Sequence, residues 1–313
     1  FALTFSGQTG IDPYTTAVSD VYQDLFHEGI FTGKGIFDPK VFSQVLKEAI
    51  PENAVLSHDL LEGSYVRAGL ATDIELIDGY PAHYIGYSLR LHRWVRGDWQ
   101  LLPWLFSKVK NKQGVKVDNP INSISKWKII DNLRRSLLSP ALYLLIVLSF
   151  LMLPGSLVLW LGLALLTFLQ PLMTDLAGKL VSGTKKHYRL RLSSFFEGTR
   201  TLLNQIFLSF VFLSHQAYLM TDAILRSVWR VTVSHKNMLE WVTAADSDRK
   251  FKGKFSDYWH KMKVPVFISL LIYIASLIIR SGIWYLSGIA TVAWILSPYI
   301  AWKIGQQKGK RTP

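Results

Sequence analysis

Tyr87, Arg90, Arg93, Trp94, Gly97, Leu101 and Trp104 recur at three- and four-residue spacing, so a helix places them on one face. Two guanidinium groups one turn apart suit a diphosphate, which accepts forked hydrogen bonds from them. Beside them Trp94 offers a flat apolar surface on which the C–H face of a sugar ring can pack while its hydroxyls bond elsewhere. Gly97 leaves room for a ligand to approach the backbone. The same spacing also suits an arginine-rich interfacial helix with its tryptophans at headgroup level.

Asp59 is the candidate general base. A sugar hydroxyl is a poor nucleophile until a positioned carboxylate takes its proton. If a nucleotide sugar is attacked from the face opposite its leaving group, the anomeric centre inverts, and one base suffices. Asp59 and Glu62 are also spaced as a capping box, so a capping role alone is the competing reading. A helix start lowers a carboxylate's pKa, which keeps it ionised and makes it a weaker base. His58 is either a hydrogen-bond partner of the site or an ordinary loop residue.

The loop Gly29-Ile30-Phe31-Thr32-Gly33-Lys34-Gly35 lacks the Gly-x-x-x-x-Gly-Lys-Ser/Thr spacing of a P-loop. Lys34 and the loop's amides could still meet a phosphate or a glycan; a plain surface loop is the alternative. Asp20 and Asp24 share a helix face that suits either sugar hydroxyls or solvent.

The elements that must position these residues follow from the chain's patterning. Residues 1–106 read as a mixed α/β segment: a helix over Tyr14–Phe26, the Gly29–Gly35 loop, and a helix opened by Asp38-Pro39 as N-cap and N1. Val41, Phe42, Val45, Leu46 and Ile50 form that helix's apolar face. Ala54–Leu56 and Thr72–Ile77 read as strands, and a long helix runs from Pro81 towards Trp104.

Residues 107–135 form a basic connector. Beyond it, uncharged runs span Leu137–Leu153 and Leu157–Met173, parted by Pro154, Gly155 and Ser156. A second pair spans Val264–Ile279 and Ile283–Trp302, parted by Arg280, Ser281 and Gly282. A helix needs about 17–25 apolar residues to cross a hydrocarbon core of about 30 Å. Two transmembrane hairpins are therefore expected, at 136–176 and 264–303, with a cytoplasmic or interfacial region at 177–263 and a basic tail at 304–313. Residues 201–233 are apolar but interrupted by Asn204, Gln205, His215, Gln216 and Asp222. They read as an amphipathic helix lying at the membrane interface, because a fifth crossing would put the Arg249–Lys263 basic cluster on the wrong side.

The net charge of +13 then reads as topology. Lys and Arg cluster before and after each hairpin, which puts every large loop in the cytoplasm and draws the protein to anionic membrane lipid. A pI near 9.7 would also suit nucleic acid, but topology accounts for the charge and no such partner is expected. The absence of Cys excludes disulfides, thiol nucleophiles and Cys-based metal sites.

Four stretches together resemble the cyclic β-1,2-glucan synthase family: Tyr14–Phe26, Phe31-Thr32-Gly33-Lys34-Gly35-Ile36, Leu56-Ser57-His58-Asp59-Leu60-Leu61-Glu62-Gly63, and His92-Arg93-Trp94-Val95-Arg96-Gly97-Asp98-Trp99-Gln100. The resemblance implies a large, multi-pass enzyme of the bacterial inner membrane with a cytoplasmic GT-A (Rossmann-like) glycosyltransferase domain, of which residues 1–106 would be the acceptor-side, C-terminal part. It implies UDP-glucose and a growing glucan as substrates, and a divalent metal, Mg or Mn, held by an Asp-x-Asp upstream of this chain.

Related processive enzymes such as cellulose synthase carry Thr-Glu-Asp and Gln-x-x-Arg-Trp motifs. Ser57-His58-Asp59 stands at the first, which gives Asp59 the base role. Arg90-Leu91-His92-Arg93-Trp94 stands at the second, with Arg90 in place of Gln, so the way the acceptor is held differs there. The chain is accordingly expected to be a fragment, continuous with an upstream nucleotide-binding half and a downstream phosphorylase-like region, and inactive alone. The rivals are a synthase of another polysaccharide and a non-catalytic membrane scaffold or glycan transporter.

Overall fold

A computed structural model describes residues 1, 5, 17–31, 33, 35–56, 59–71, 74, 80–181, 188–240 and 253–306. They are overwhelmingly helical. Three short helices come first: α1 (Ala17–Phe26), α2 (Pro39–Leu46) and α3 (Asp59–Val66). The longer α4 (Tyr84–Gln100) runs into a 3-10 turn at Leu102–Leu105. An antiparallel hairpin follows, β1 (Lys108–Lys110) with β2 (Lys116–Asp118). The remainder is α5 (Ser123–Leu151), α6 (Leu157–Val181), α7 (Tyr188–Trp229) with a π turn at Arg230–Ser234, α8 (Phe255–Ile279) and α9 (Trp284–Gly305).

Asp38 caps α2 as expected, accepting from the amides of Lys40 and Val41. The apolar face expected on α2 is not buried, however: Val41 is 52% exposed and no α2 residue is in the core. No strand is found among the described residues of 1–106. The described part of that segment contains helices and loops, and the two-stranded hairpin lies in the connector. Ala54–Leu56 is not a strand, because the Leu56 amide donates at 2.5 Å to the buried Gln100 side chain in place of a ladder partner. Thr72–Ile77 lies outside the described residues except for Ile74, and a GT-A fold is not seen in what is described. The long helix starts at Tyr84, three residues beyond Pro81.

Among the described residues three helices, α5, α8 and α9, are long and apolar enough to cross a membrane; Leu157–Gln170 in α6 is a shorter apolar stretch. Thus α6 falls short of the fourth expected span on its described side chains. The connector does not end before the first hairpin, since Asn122 caps α5 by accepting from Ser125 N at 2.7 Å and the helix runs unbroken through Pro140. Arg280, the charge in the second hairpin's turn, donates from Nη1 to the carbonyls of Ser149 and Leu153 at 3.0 and 3.1 Å. It thereby satisfies the Ser149 carbonyl that the α5 C-terminus leaves open and the Leu153 carbonyl just beyond it.

Residues 201–233 fall in α7 and its π turn, and the central part of α7 packs against α4, α5, α6, α8 and α9. Val211, Phe212, Leu213 and Ala223 are buried to 1% exposure or less. At 42 residues it is about 63 Å long at 1.5 Å per residue, so it joins the apolar helices to α4. Of the polar residues that interrupt this stretch, His215 and Asp222 are met from α4 by Tyr84 and His92. Nearby, Ser214 Oγ meets Ser269 Oγ at 3.0 Å, and Trp294 Nε1 donates to Phe210 O at 3.1 Å. Such bonds fasten apolar helices where hydrophobic burial cannot.

Candidate functional site

The site is built on α4, which α7 holds along its length. Tyr84 stacks on Phe212 at 3.9 Å between centroids and its hydroxyl meets His215 Nδ1 at 2.8 Å. Further along, His92 Nε2 meets Asp222 Oδ2 at 3.0 Å, and Ser227 Oγ donates to the Arg96 carbonyl at 3.2 Å. Contacts that advance together on both helices mean that α4 and α7 run parallel. Burial pulls His92 below its ordinary range against the opposing pull of Asp222. Burial alone would raise the Asp222 carboxyl, but Arg226 and His92 outweigh it and hold that group low.

The other side of α4 meets α5. Trp99 Nε1 donates to Ser136 Oγ at 2.9 Å and Asn132 Nδ2 to Asp98 Oδ1 at 3.0 Å. Burial pushes the Asp98 carboxyl up to about 7, against the Asn132 bond and the Arg135 charge.

Arg90, Arg93 and Trp94 are half-buried on α4. Arg90 Cζ lies 5.6 Å from the centre of the Trp94 ring, so the guanidinium lies over the indole as a cation–π pair. Burial and the Arg90 charge draw the Arg93 guanidinium below its ordinary range, and the Asp59 carboxylate opposes them. Asp59 and Arg93, distant in the chain, are therefore electrostatic neighbours.

Asp59 is the first residue of α3, and Gly33 lies against it. Gly33, at φ +84°, is so close that a Cβ there would stand 2.8 Å from Asp59 Oδ2 and 3.0 Å from Oδ1. The loop crosses α3 just as closely at Gly63, where a Cβ would come 2.7 Å from that of Phe31. Only residues without a Cβ allow this approach.

The loop's base is anchored elsewhere. Gly29 N donates to Ala68 O at 2.6 Å, and Gln23 exchanges hydrogen bonds with the Leu70 backbone. Lys128 Nζ bonds Glu28 Oε1 at 2.8 Å and Gly29 O at 3.0 Å, and both charged side chains are 5% exposed. Lys128 belongs to the basic run that reads as topology from sequence, yet it serves as a buried loop anchor. The positive-inside pattern masked that role.

Gln100 is a second residue that sequence reasoning missed. It is buried, accepts from Leu56 N and donates to Met238 O at 2.8 Å. It thus ties the segment leading to Asp59 to the segment after the π turn; its place in the His92–Gln100 stretch was the available signal. Tyr80 and Tyr87 stack beside Arg90, with centroids 6.4 Å apart. Burial pushes the Tyr87 hydroxyl up to about 12.

Lys34 and His58 lie outside the described residues, as does the side chain of Asp20; Asp24 is exposed on α1. Among the described residues no three His, Cys, Asp or Glu side chains group as a metal site requires.

Over 308 residues, 98% of its length, the chain is 39% identical to the cyclic beta-(1,2)-glucan synthase NdvB of Rhizobium meliloti (strain 1021). It spans 11% of that protein's length. No protein-family model matches the chain. The resemblance read from the four stretches is borne out: the chain corresponds to one segment of a member of that family.

Proposed function

We propose that this chain, as a segment of the cyclic β-1,2-glucan synthase family, is the acceptor-side part of a membrane-bound, processive, inverting glucosyltransferase that uses UDP-glucose. The reading is carried by the Asp59 carboxylate, held against Gly33 and acting through its charge on Arg93, which sits on a helix fastened to apolar helices. An Asp59 oxygen takes the proton of the acceptor 2-hydroxyl. The freed oxygen attacks the anomeric carbon, and the bond from that carbon to the UDP oxygen breaks. The electron pair leaves on the diphosphate, whose growing charge Arg93 meets. The Arg90–Trp94 pair orients the terminal sugar of the glucan, with Arg90 standing where related enzymes have Gln. The apolar helices hold this site against the cytoplasmic face of a bacterial inner membrane. A nucleotide-binding half with its divalent metal and a phosphorylase-like region complete the whole protein.

Asp59→Asn in the full-length enzyme tests the assignment. Glucosyl transfer is expected to fall by about 10²–10⁴-fold, the usual contribution of a general base, with UDP binding retained. Near-normal transfer would remove Asp59 from the mechanism. Linkage analysis of the product tests the β-1,2 assignment separately.

A further inference from the structure

Arg96 is 8% exposed, yet its Nε and Nη2 have no hydrogen-bond partner among the described residues. These two atoms form the side-on edge of the guanidinium, the edge that grips two oxygens of one oxyanion. The charges around Arg96 are those of Arg230, Glu240, Arg226 and Asp222. Two of the three arginines are already paired. Arg226 Nε donates to both Asp222 oxygens at 2.8 and 2.7 Å, and Arg230 Nη2 donates to Glu240 Oε2 at 2.7 Å. That leaves Arg96 as a buried cation with an empty fork. Uncompensated buried charge and unmade buried donors are both costly, and an unsatisfied buried group points to a missing acceptor. Arg230 stands by with a second guanidinium, fixed by its Nη1 bond to Asn237 O at 2.6 Å.

We propose that Arg96, flanked by Arg230, binds a phosphate-class oxyanion between α4 and the π turn, with two anion oxygens accepting from Arg96 Nε and Nη2. The charged neighbours of Arg96 belong to α7 and the residues that follow it, whereas those of Arg93 are Arg90 and Asp59. The same chemistry is offered by a soluble phosphate and by the phosphodiester headgroup of an anionic lipid. The inference stands independently of the role given to Asp59.

The intact protein in nanodiscs of zwitterionic lipid is unfolded by heat in inorganic phosphate and, at equal ionic strength, in chloride. A saturable rise in unfolding temperature with phosphate is expected. Arg96→Gln abolishes it, Arg230→Gln weakens it and Arg93→Gln leaves it intact. Arg96→Lys keeps the charge and loses the fork, so it is expected to need at least tenfold more phosphate. Discs containing phosphatidylglycerol separate the sources. A headgroup ligand raises the unfolding temperature without added phosphate and Arg96→Gln removes that rise, whereas a soluble ligand gives the same phosphate response in both discs. A response kept in Arg96→Gln, a response lost only in Arg93→Gln, or no response to phosphate or phosphatidylglycerol overturns the assignment.

Discussion

Gly33→Ala perturbs the proposed base without touching its chemistry. The added methyl would stand 2.8 Å from Asp59 Oδ2 and 3.0 Å from Oδ1, roughly 0.5 Å inside an ordinary carbon–oxygen contact. The backbone at φ +84° adds about 1–2 kcal/mol of left-handed strain for a residue with a Cβ. Either the loop lifts from α3 or the carboxylate turns away from it. Misplacing a reacting group by about 1 Å costs about 10²-fold, so half of that displacement is expected to lower kcat about tenfold. The assay is transfer of labelled glucose from UDP-glucose to glucan by the full-length enzyme in membranes, alongside its unfolding temperature.

The decisive comparison is a double-mutant cycle. If Gly33 acts through the carboxylate, Gly33→Ala lowers kcat in the wild type but has little further effect once Asp59 is Asn. Equal factors in both backgrounds, or wild-type kcat in Gly33→Ala, would refute the reasoning that the loop positions the base.

Two predictions concern stability. The folded-state value of about 7 for Asp98 lies above the ordinary 3.8, so the stability this group lends is fully present below about pH 4 and lost as pH rises through about 7. Asp98→Asn keeps an oxygen for Asn132 and is expected to stabilise the protein at pH 8, with a ceiling of about 4 kcal/mol, and to gain progressively less towards pH 4; thermal unfolding across that range checks it. Arg280→Met removes the donor to Ser149 O and Leu153 O and is expected to cost about 1.5–3 kcal/mol, with Arg280→Lys recovering part. An unchanged heat-inactivation midpoint in detergent would show that Arg280 serves insertion topology alone.

The parts of the fold legible in the sequence were those governed by neighbouring residues. Asp38-Pro39 announced a capped helix and delivered one, and the uncharged runs are helical where described. Long-range satisfaction of polar groups was not legible. His215 and Asp222 read as breaks in an apolar run because Tyr84 and His92, which meet them, lie on α4, far back in the chain; of these contacts only the Asp222–Arg226 pair is local. Ala54–Leu56 failed for the same reason, since the amide that would join a ladder is taken by Gln100. At the site, motif spacing singled out Asp59, Arg93 and Trp94. It did not show that Arg90 lies over the indole, or that Gly33 owes its identity to contact with a carboxylate rather than to a turn alone.

The parallel alignment of α4 with α7 has a consequence for dissecting the protein. Tyr84, Ile85 and Val95 are at most 3% exposed, and much of their cover comes from α7. Cutting α7 away together with the apolar helices to obtain a smaller soluble piece would strip that greasy seam bare, and the excised piece would clump. The lobe and its anchor stand or fall as one body.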